Sequence, residues 1–181
     1  DLLDVIAGRG IELDTITYSA AISACRSGGH WECAIQLLAS MTGQGVARDA
    51  IVFNALISAC ESGKAWHKAL EIFNVMEGSK VAQDTITYSA AISACRSGGH
   101  WECAIQLLAS MIGQGVARDA IVFNALISAC ESGKAWHKAL EIFNVMEGSK
   151  VAQDTITYSA AISACRSGGH WECAIQLLAS M

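Results

Sequence analysis

The sequence of 181 residues contains no proline, and aromatic residues make up only 7% of it. Because the proline ring is what fixes φ, no connection in this chain is stiffened in that way. No apolar run reaches the ~18 residues of a candidate membrane span, and no basic segment followed by a short apolar stretch opens the chain. We therefore predict no membrane insertion, and no targeting segment is visible in this sequence.

Positive charge is also scarce, with 12 Lys and Arg against 17 Asp and Glu and a net charge of −5. This balance argues against a protein that holds phosphates by bulk electrostatics, although it allows a local basic stripe. The eight cysteines form no C-x-x-C pair and fall at regularly spaced positions. We expect them to be reduced thiols in helix packing.

Motifs for catalysis are missing as well. There is no Gly-x-Ser-x-Gly elbow and no Gly-rich phosphate loop. Cys25, His30 and Cys33 recur at 95–103 and 165–173 and are residue types that bind zinc, but they supply only three ligands on separate helices. The sequence therefore predicts neither an enzyme nor a metal or other cofactor.

What the sequence does contain is a repeat. Residues 15–84 recur as 85–154 with one change, Thr42 against Ile112, and each block of 70 is itself two related units of 35. A period of this length is typical of a solenoid, in which each unit buries its apolar face against its neighbours. We predict one solenoid of four full units, 15–49, 50–84, 85–119 and 120–154. The flanking partial units are 1–14, a second helix and tail, and 155–181.

Each unit has the pattern of a helical hairpin. In the first unit, apolar or small residues three and four apart predict a helix from Ile16 to Arg26, broken at Ser27-Gly28-Gly29. Helical spacing returns from Trp31 to Met41 and ends at Gly43–Gly45. The second unit repeats this plan with its turn at Ser62-Gly63. A tryptophan opens every second helix, where we expect it to pack against the adjoining hairpin.

The segment Thr15–Cys25, followed by Ala34, Leu37, Met41, Gly45 and a closing Asp49, resembles the pentatricopeptide repeat, and the resemblance covers essentially the whole chain. It implies an all-α, right-handed superhelical solenoid of antiparallel helix-turn-helix repeats. It also implies single-stranded RNA as the partner, not DNA, in a mitochondrion or plastid. The family usually has proline before the closing Asp. Here that place is held by Arg48, Gln83, Arg118 and Gln153, so we expect looser joints between units.

In that family the fifth residue of the first helix and the last residue of the repeat select one base, and the second residue sandwiches it. Carried over to this chain, the selecting residues are Ser19 with Asp49, Asn54 with Asp84, Ser89 with Asp119 and Asn124 with Asp154, followed by Ser159 without a partner. The sandwiching residues are Ile16, Ile51, Ile86, Ile121 and Ile156. By resemblance, Ser/Asp favours guanine and Asn/Asp favours uracil, which predicts a preference for 5′-GUGU-3′.

Structural roles compete with these assignments. Each closing Asp precedes a helix and would cap its free N–H groups, and isolated isoleucines commonly lie in a core. The residues predicted to contact phosphates are Arg26, Arg96 and Arg166, which end first helices, and Lys64 and Lys134. Glu61 and Glu131 interrupt this row. A second hypothesis is therefore a structural solenoid that docks to protein subunits of a large organellar assembly, such as a ribosome or a photosynthetic or respiratory complex, which would cover its uncapped ends.

Overall fold

The computed structural model describes residues 13–181, and within this range it contains ten α-helices and no strand. Most of the helix and tail predicted within 1–14 therefore lies outside the described residues. The first helices of the units are α1 (Thr15–Gly28), α3 (Ala50–Ser62), α5 (Thr85–Gly98), α7 (Ala120–Ser132) and α9 (Thr155–Ser167). The second helices are α2 (Trp31–Gly43), α4 (Trp66–Gly78), α6 (Trp101–Gly113), α8 (Trp136–Gly148) and α10 (Trp171–Ser180).

The ends of α1 show what sets the length of a first helix. Asp14 caps its start, because the Asp14 side chain accepts a hydrogen bond of 2.8 Å from the Thr17 N–H. The helix continues to Gly28 and ends where Gly29 adopts a left-handed φ of 65°. The helix thus extends two residues beyond the predicted end at Arg26, because Gly28 still fits a right-handed helix, and the chain reverses at Gly29, within the predicted break Ser27-Gly28-Gly29.

The ten helices lie in two layers. The first helices pack side by side, and each second helix packs on its own first helix and on the first helix of the next unit. The core between the layers is formed by the predicted apolar stripes, and in the second unit Phe53, Leu56, Ile57 and Cys60 are all completely buried. Stacking of this kind makes one continuous core out of short hairpins that could not fold alone.

The tryptophans hold successive units together. The rings of Trp66 and His100 stack with their centres 3.7 Å apart, and Trp136 and His170 repeat this contact at 3.7 Å. The four tryptophans that pack against the core are Trp31, Trp66, Trp101 and Trp136, whereas Trp171 is exposed. Each stacked pair joins the second helix of one unit to the residue before the second helix of the next.

Side chains hold the segment that closes each unit, where the family has proline, against the helices of the same unit. In even units Gln83 donates from Nε2 to the Phe73 carbonyl at 3.1 Å, and Gln153 makes the same bond to Phe143 at 3.0 Å. In odd units Thr15 and Thr85 donate to the carbonyls of Ala47 and Ala117, at 3.1 and 2.9 Å. These bonds fix the closing segment within its own unit, and the expected looseness between units stays a prediction.

None of the helices within residues 13–181 is both long and apolar enough to cross a membrane. All eight cysteines are free thiols. Burial raises the pKa of Cys60 to about 11 and the pKa of Cys95 and of Cys130 to about 12, so these thiols stay protonated at neutral pH. Among the described residues, no three His, Cys, Asp or Glu side chains cluster in a way that would hold a metal ion.

Candidate nucleic-acid interface

A row of isoleucines lies on the layer of first helices. Each is the second residue of its helix, and the exposed fraction of these side chains is 64–77%. This exposure excludes the core role that competes with base contact, and it recurs in every unit: Ile16, Ile51, Ile86, Ile121 and Ile156. Exposed branched side chains at a fixed spacing offer a series of apolar surfaces of the same kind.

The predicted residues of one unit meet around an open pocket between α5 and α7. Its lining includes Ile86 and Ile121, which stand on successive first helices, and the predicted selecting pair Ser89 and Asp119. The fifth residue of one helix and the cap of the next thus face the same space between two isoleucines. This is the arrangement that a flat ring with polar edges requires.

The closing aspartates do cap helices, as the structural alternative predicted. Asp49 and Asp119 each accept a bond of 3.0 Å from the N–H of Val52 and of Val122. The carboxylates that cap next to a threonine, Asp14, Asp84 and Asp154, accept from the threonine N–H at 2.8 Å in every case. Each cap engages one carboxylate oxygen, Oδ1, so capping leaves the other oxygen available to a ligand.

Hydrogen bonds distinguish the serine units from the asparagine units. The Ser89 hydroxyl donates its proton to the Thr85 carbonyl at 2.7 Å, and Ser19 donates to Ile16 at 2.9 Å. These hydroxyls are therefore left with lone pairs, so Ser89 and Asp119 together present acceptors. Ser159 is exposed on α9.

In the asparagine units a third residue joins the pair. Asn54 and Asp84 are both bonded to Thr87, and Asn124 and Asp154 are both bonded to Thr157. The sequence reasoning missed these threonines because each belongs to the following unit, 33 residues after the asparagine. Asn124 Nδ2 also lies 3.4 Å from Asp154 Oδ1.

The predicted phosphate contacts are compromised by acidic neighbours. Arg96 Nη2 lies 4.0 Å from Glu61 Oε1, and Glu61 lines the same pocket as Ser89 and Asp119. Burial raises the pKa of Glu61, although Arg96 and Arg26 lower it. Lys64, exposed at the turn after α3, carries a left-handed φ of 57°. The surface thus alternates in charge from one unit to the next.

Comparison of the sequence with models of known families identifies the family. The model of the PPR repeat family matches residues 48–97 and 118–167, which is more than half of the chain. The pentatricopeptide repeat domain matches residues 1–62, and the PPR repeat matches 86–116 and 156–181. The chain belongs to the pentatricopeptide repeat family. No curated protein matched it at the sequence level.

Solved structures show the same fold. Pentatricopeptide repeat protein PPR10 from maize is 24% identical over 99% of this chain, with a TM-score of 0.78. PPR10 in complex with an 18-nt psaJ RNA element is 20% identical over 97% of this chain, with a TM-score of 0.80. In both comparisons the chain covers 26% of PPR10, so it spans about a quarter of that protein.

The PPR domain of Arabidopsis thaliana protein-only RNase P 1, in complex with tRNA, is 17% identical over 89% of this chain and 85% of that domain, with a TM-score of 0.74. In each of these comparisons the shared feature is the fold, an all-α repeat solenoid. The residues described here contain no separate catalytic domain, since all of them belong to the repeats.

Proposed function

We propose that this chain is a repeat array that binds single-stranded RNA, one base per repeat, and prefers 5′-GUGU-3′. The observation that carries the proposal is the pocket between Ile86 and Ile121, where Ser89 and Asp119 face the gap between two exposed apolar side chains. Apolar contacts supply affinity for any base, and the polar pair supplies selection. The RNA complexes of PPR10 and of the RNase P 1 PPR domain support the class of ligand.

The order of bases follows from the two kinds of pair. Ser/Asp presents acceptors, which suit the N1–H and N2–H groups of guanine, whereas Asn/Asp adds an amide that can donate. Since the pairs alternate along the chain, the array alternates between guanine and uracil. We further propose, from the family resemblance, that this activity serves the RNA metabolism of a mitochondrion or plastid.

Selection of bound sequences from a random pool of single-stranded RNA tests the proposal directly. Enrichment of GUGU is the expected result. If the protein binds no RNA at ~50 mM salt, where electrostatic contacts are strongest, the proposal fails. Glu61 in the pocket favours the alternative in that case, a scaffold that docks to protein subunits, because a half-buried acid beside the pocket opposes the approach of phosphates.

The code is tested by exchanging selecting residues. The double substitution Asn54→Thr with Asn124→Thr should move preference from U toward G at the second and fourth positions, by about tenfold at each, equivalent to about 1.4 kcal/mol. Competition binding between GUGU and GGGG oligonucleotides measures the change. Asn74→Thr with Asn144→Thr is the matched control, because these two asparagines are exposed on second helices. It should leave the preference unchanged. Equal selectivity in both variants would refute the code.

A further inference from the structure

A buried threonine stands between the two selecting residues of each asparagine unit. Thr87 Oγ1 lies 2.7 Å from Asn54 Oδ1 and 2.9 Å from Asp84 Oδ1. Thr157 repeats the arrangement, at 2.7 Å from Asn124 and 2.8 Å from Asp154. Thr87 and Thr157 have no exposed surface, so neither side chain can touch a bound base.

The serine units differ at the same place. The residues equivalent to Thr87 are Val52 and Val122, which are buried and have no hydroxyl to bridge the pair. Their backbone N–H groups still bond to Asp49 and to Asp119, so the helix cap does not need the threonine. Threonine thus accompanies asparagine, and valine accompanies serine, across the boundary between successive units.

Counting protons shows what the threonine does. A hydroxyl has one proton, and Thr87 is closer to the Asn54 carbonyl oxygen than to the Asp84 carboxylate. When the Thr87 hydroxyl donates to the Asn54 carbonyl oxygen, the NH2 group of the same amide must point away from Thr87. In the second copy this Nδ2 lies 3.4 Å from Asp154 Oδ1, which places a donor beside an acceptor.

The orientation of the amide decides which base edge fits. A donor beside an acceptor complements a carbonyl next to an N–H, which is the O4 and N3–H edge of uracil. The opposite orientation would present two acceptors, as Ser89 and Asp119 do, and would suit the N1–H and N2–H groups of guanine. An amide without a fixed neighbour can adopt either orientation, because its oxygen and nitrogen ends have the same shape.

We propose that Thr87 and Thr157 are positioning residues for base selection, which hold the amides of Asn54 and Asn124 so that these units prefer uracil. The proposal rests on the function proposed above and deepens it. Each base is selected by three residues that span two units, the third being supplied by the unit that follows.

The test is Thr87→Val with Thr157→Val, which keeps side-chain shape and removes both hydroxyls. Equilibrium binding to GUGU and GGGG oligonucleotides should show the preference for U falling about tenfold at the second and fourth positions. Selection of G at the first and third positions should not change. Thr87→Ser with Thr157→Ser keeps the hydroxyls and should restore the preference for U.

Thr17→Val is the matched control. Thr17 makes the same bonds to Asp14, at 2.8 Å from N–H and 2.7 Å from Oγ1, but no asparagine stands opposite it within the described residues. It should alter stability without altering base preference. Weaker binding of Thr87→Val with Thr157→Val to both oligonucleotides by the same factor would show a structural role only and overturn the proposal.

A second readout needs no RNA. The side-chain NH2 resonances of Asn54 and Asn124 should shift in Thr87→Val with Thr157→Val and stay unchanged in Thr17→Val. If they do not shift, the threonines do not hold the amides and the inference fails, even though the RNA code could stand. If the resonances shift but the wild-type protein shows no base preference, the proposed function fails. The threonines then hold the amides but have no role in base selection.

Discussion

At the scale of single residues, odd and even units solve the same backbone problem differently. Two positions in each of the four complete units adopt a left-handed φ. Odd units place glycine there, as at Gly29 and Gly45, whereas even units place lysine, as at Lys64 and Lys80. A left-handed residue with a Cβ costs about 1–2 kcal/mol, so the even units carry local strain that the odd units avoid.

The glycine that precedes the left-handed lysine in the even units, Gly63, is required for a different reason. Gly63 has an ordinary negative φ of −83°, but a Cβ there would lie 2.5 Å from the Gly29 carbonyl oxygen. The turns of successive units approach so closely that only glycine fits. The even turn therefore uses its glycine for space and leaves the left-handed position to Lys64.

Replacing the strained lysines should stabilise the fold. Lys64→Gly with Lys134→Gly should raise the free energy of unfolding by about 0.5–1 kcal/mol per site, because relief of the left-handed strain exceeds the entropy that glycine adds to the unfolded chain. Urea denaturation measures this gain. The same variant should lose RNA affinity at ~50 mM salt if these lysines contact phosphates.

Lys80→Gly with Lys150→Gly is the control for that experiment, since φ at Lys80 and Lys150 is 57° and 59°. It should give a similar gain in stability and no change in RNA affinity. Equal losses of affinity in the two variants would show that Lys64 and Lys134 have no special contact with phosphates.

At the scale of helices, the aspartate caps connect stability to pH. Burial raises the pKa of Asp84, but hydrogen bonds, chiefly the one from the Thr87 N–H, outweigh it and lower the pKa overall. Bonds from Thr17 lower the pKa of Asp14, and bonds from Thr157 lower that of Asp154. A carboxyl with a lowered pKa in the folded state stabilises the fold above its ordinary pKa of 3.8.

This stabilisation is lost as the pH falls through the lowered pKa, so stability should drop below about pH 4. Asp84→Asn keeps a residue that caps helices well but cannot titrate. We expect the urea midpoint of this variant to fall less between pH 5 and pH 2.5 than that of the wild type. Parallel curves for the two proteins would mean that Asp84 has the same pKa in the folded and unfolded chain.

Helices are also the scale at which the sequence was most informative. Periodicity located the hairpins and their core residues, because burial of one face forces that spacing. It misplaced the end of α1, since two adjacent glycines do not show which one reverses the chain. It could not foresee the contact of Thr87 with Asn54, because that contact depends on how successive units pack, or the bond from Gln83 to Phe73, because it depends on how the chain turns back after α4. One signal was visible, the matched alternation of Thr with Asn and Val with Ser.

At the scale of the whole molecule, charge is distributed unevenly between the two layers and along them. Lys68 and Glu71 form an ion pair of 2.7 Å on a second helix, repeated by Lys138 and Glu141. On the first helices Glu61 and Glu131 take the places that arginines hold in odd units. An array with a net charge of −5 therefore offers phosphates a discontinuous path.

Reversing these two charges should strengthen RNA binding. Glu61→Lys with Glu131→Lys should raise the affinity and steepen its dependence on salt, by a slope of about 0.7 for each added phosphate contact. Glu77→Lys with Glu147→Lys changes the net charge equally on the exposed second helices and serves as the control. Measurement of the dissociation constant from 50 to 300 mM salt separates the two. Identical slopes would place the RNA backbone away from Glu61.

The boundary contacts of Thr87 also bear on how such genes can grow. Joining two copies of the unit 50–84 would place Val52 of the second copy, not a threonine, beside Asn54 of the first copy, which creates a combination absent from residues 15–181. Copying 70 residues at a time preserves every boundary. A pair of units is therefore the smallest segment that unequal recombination can add or remove without changing the contacts between neighbouring units. It is also the segment that is duplicated in this chain.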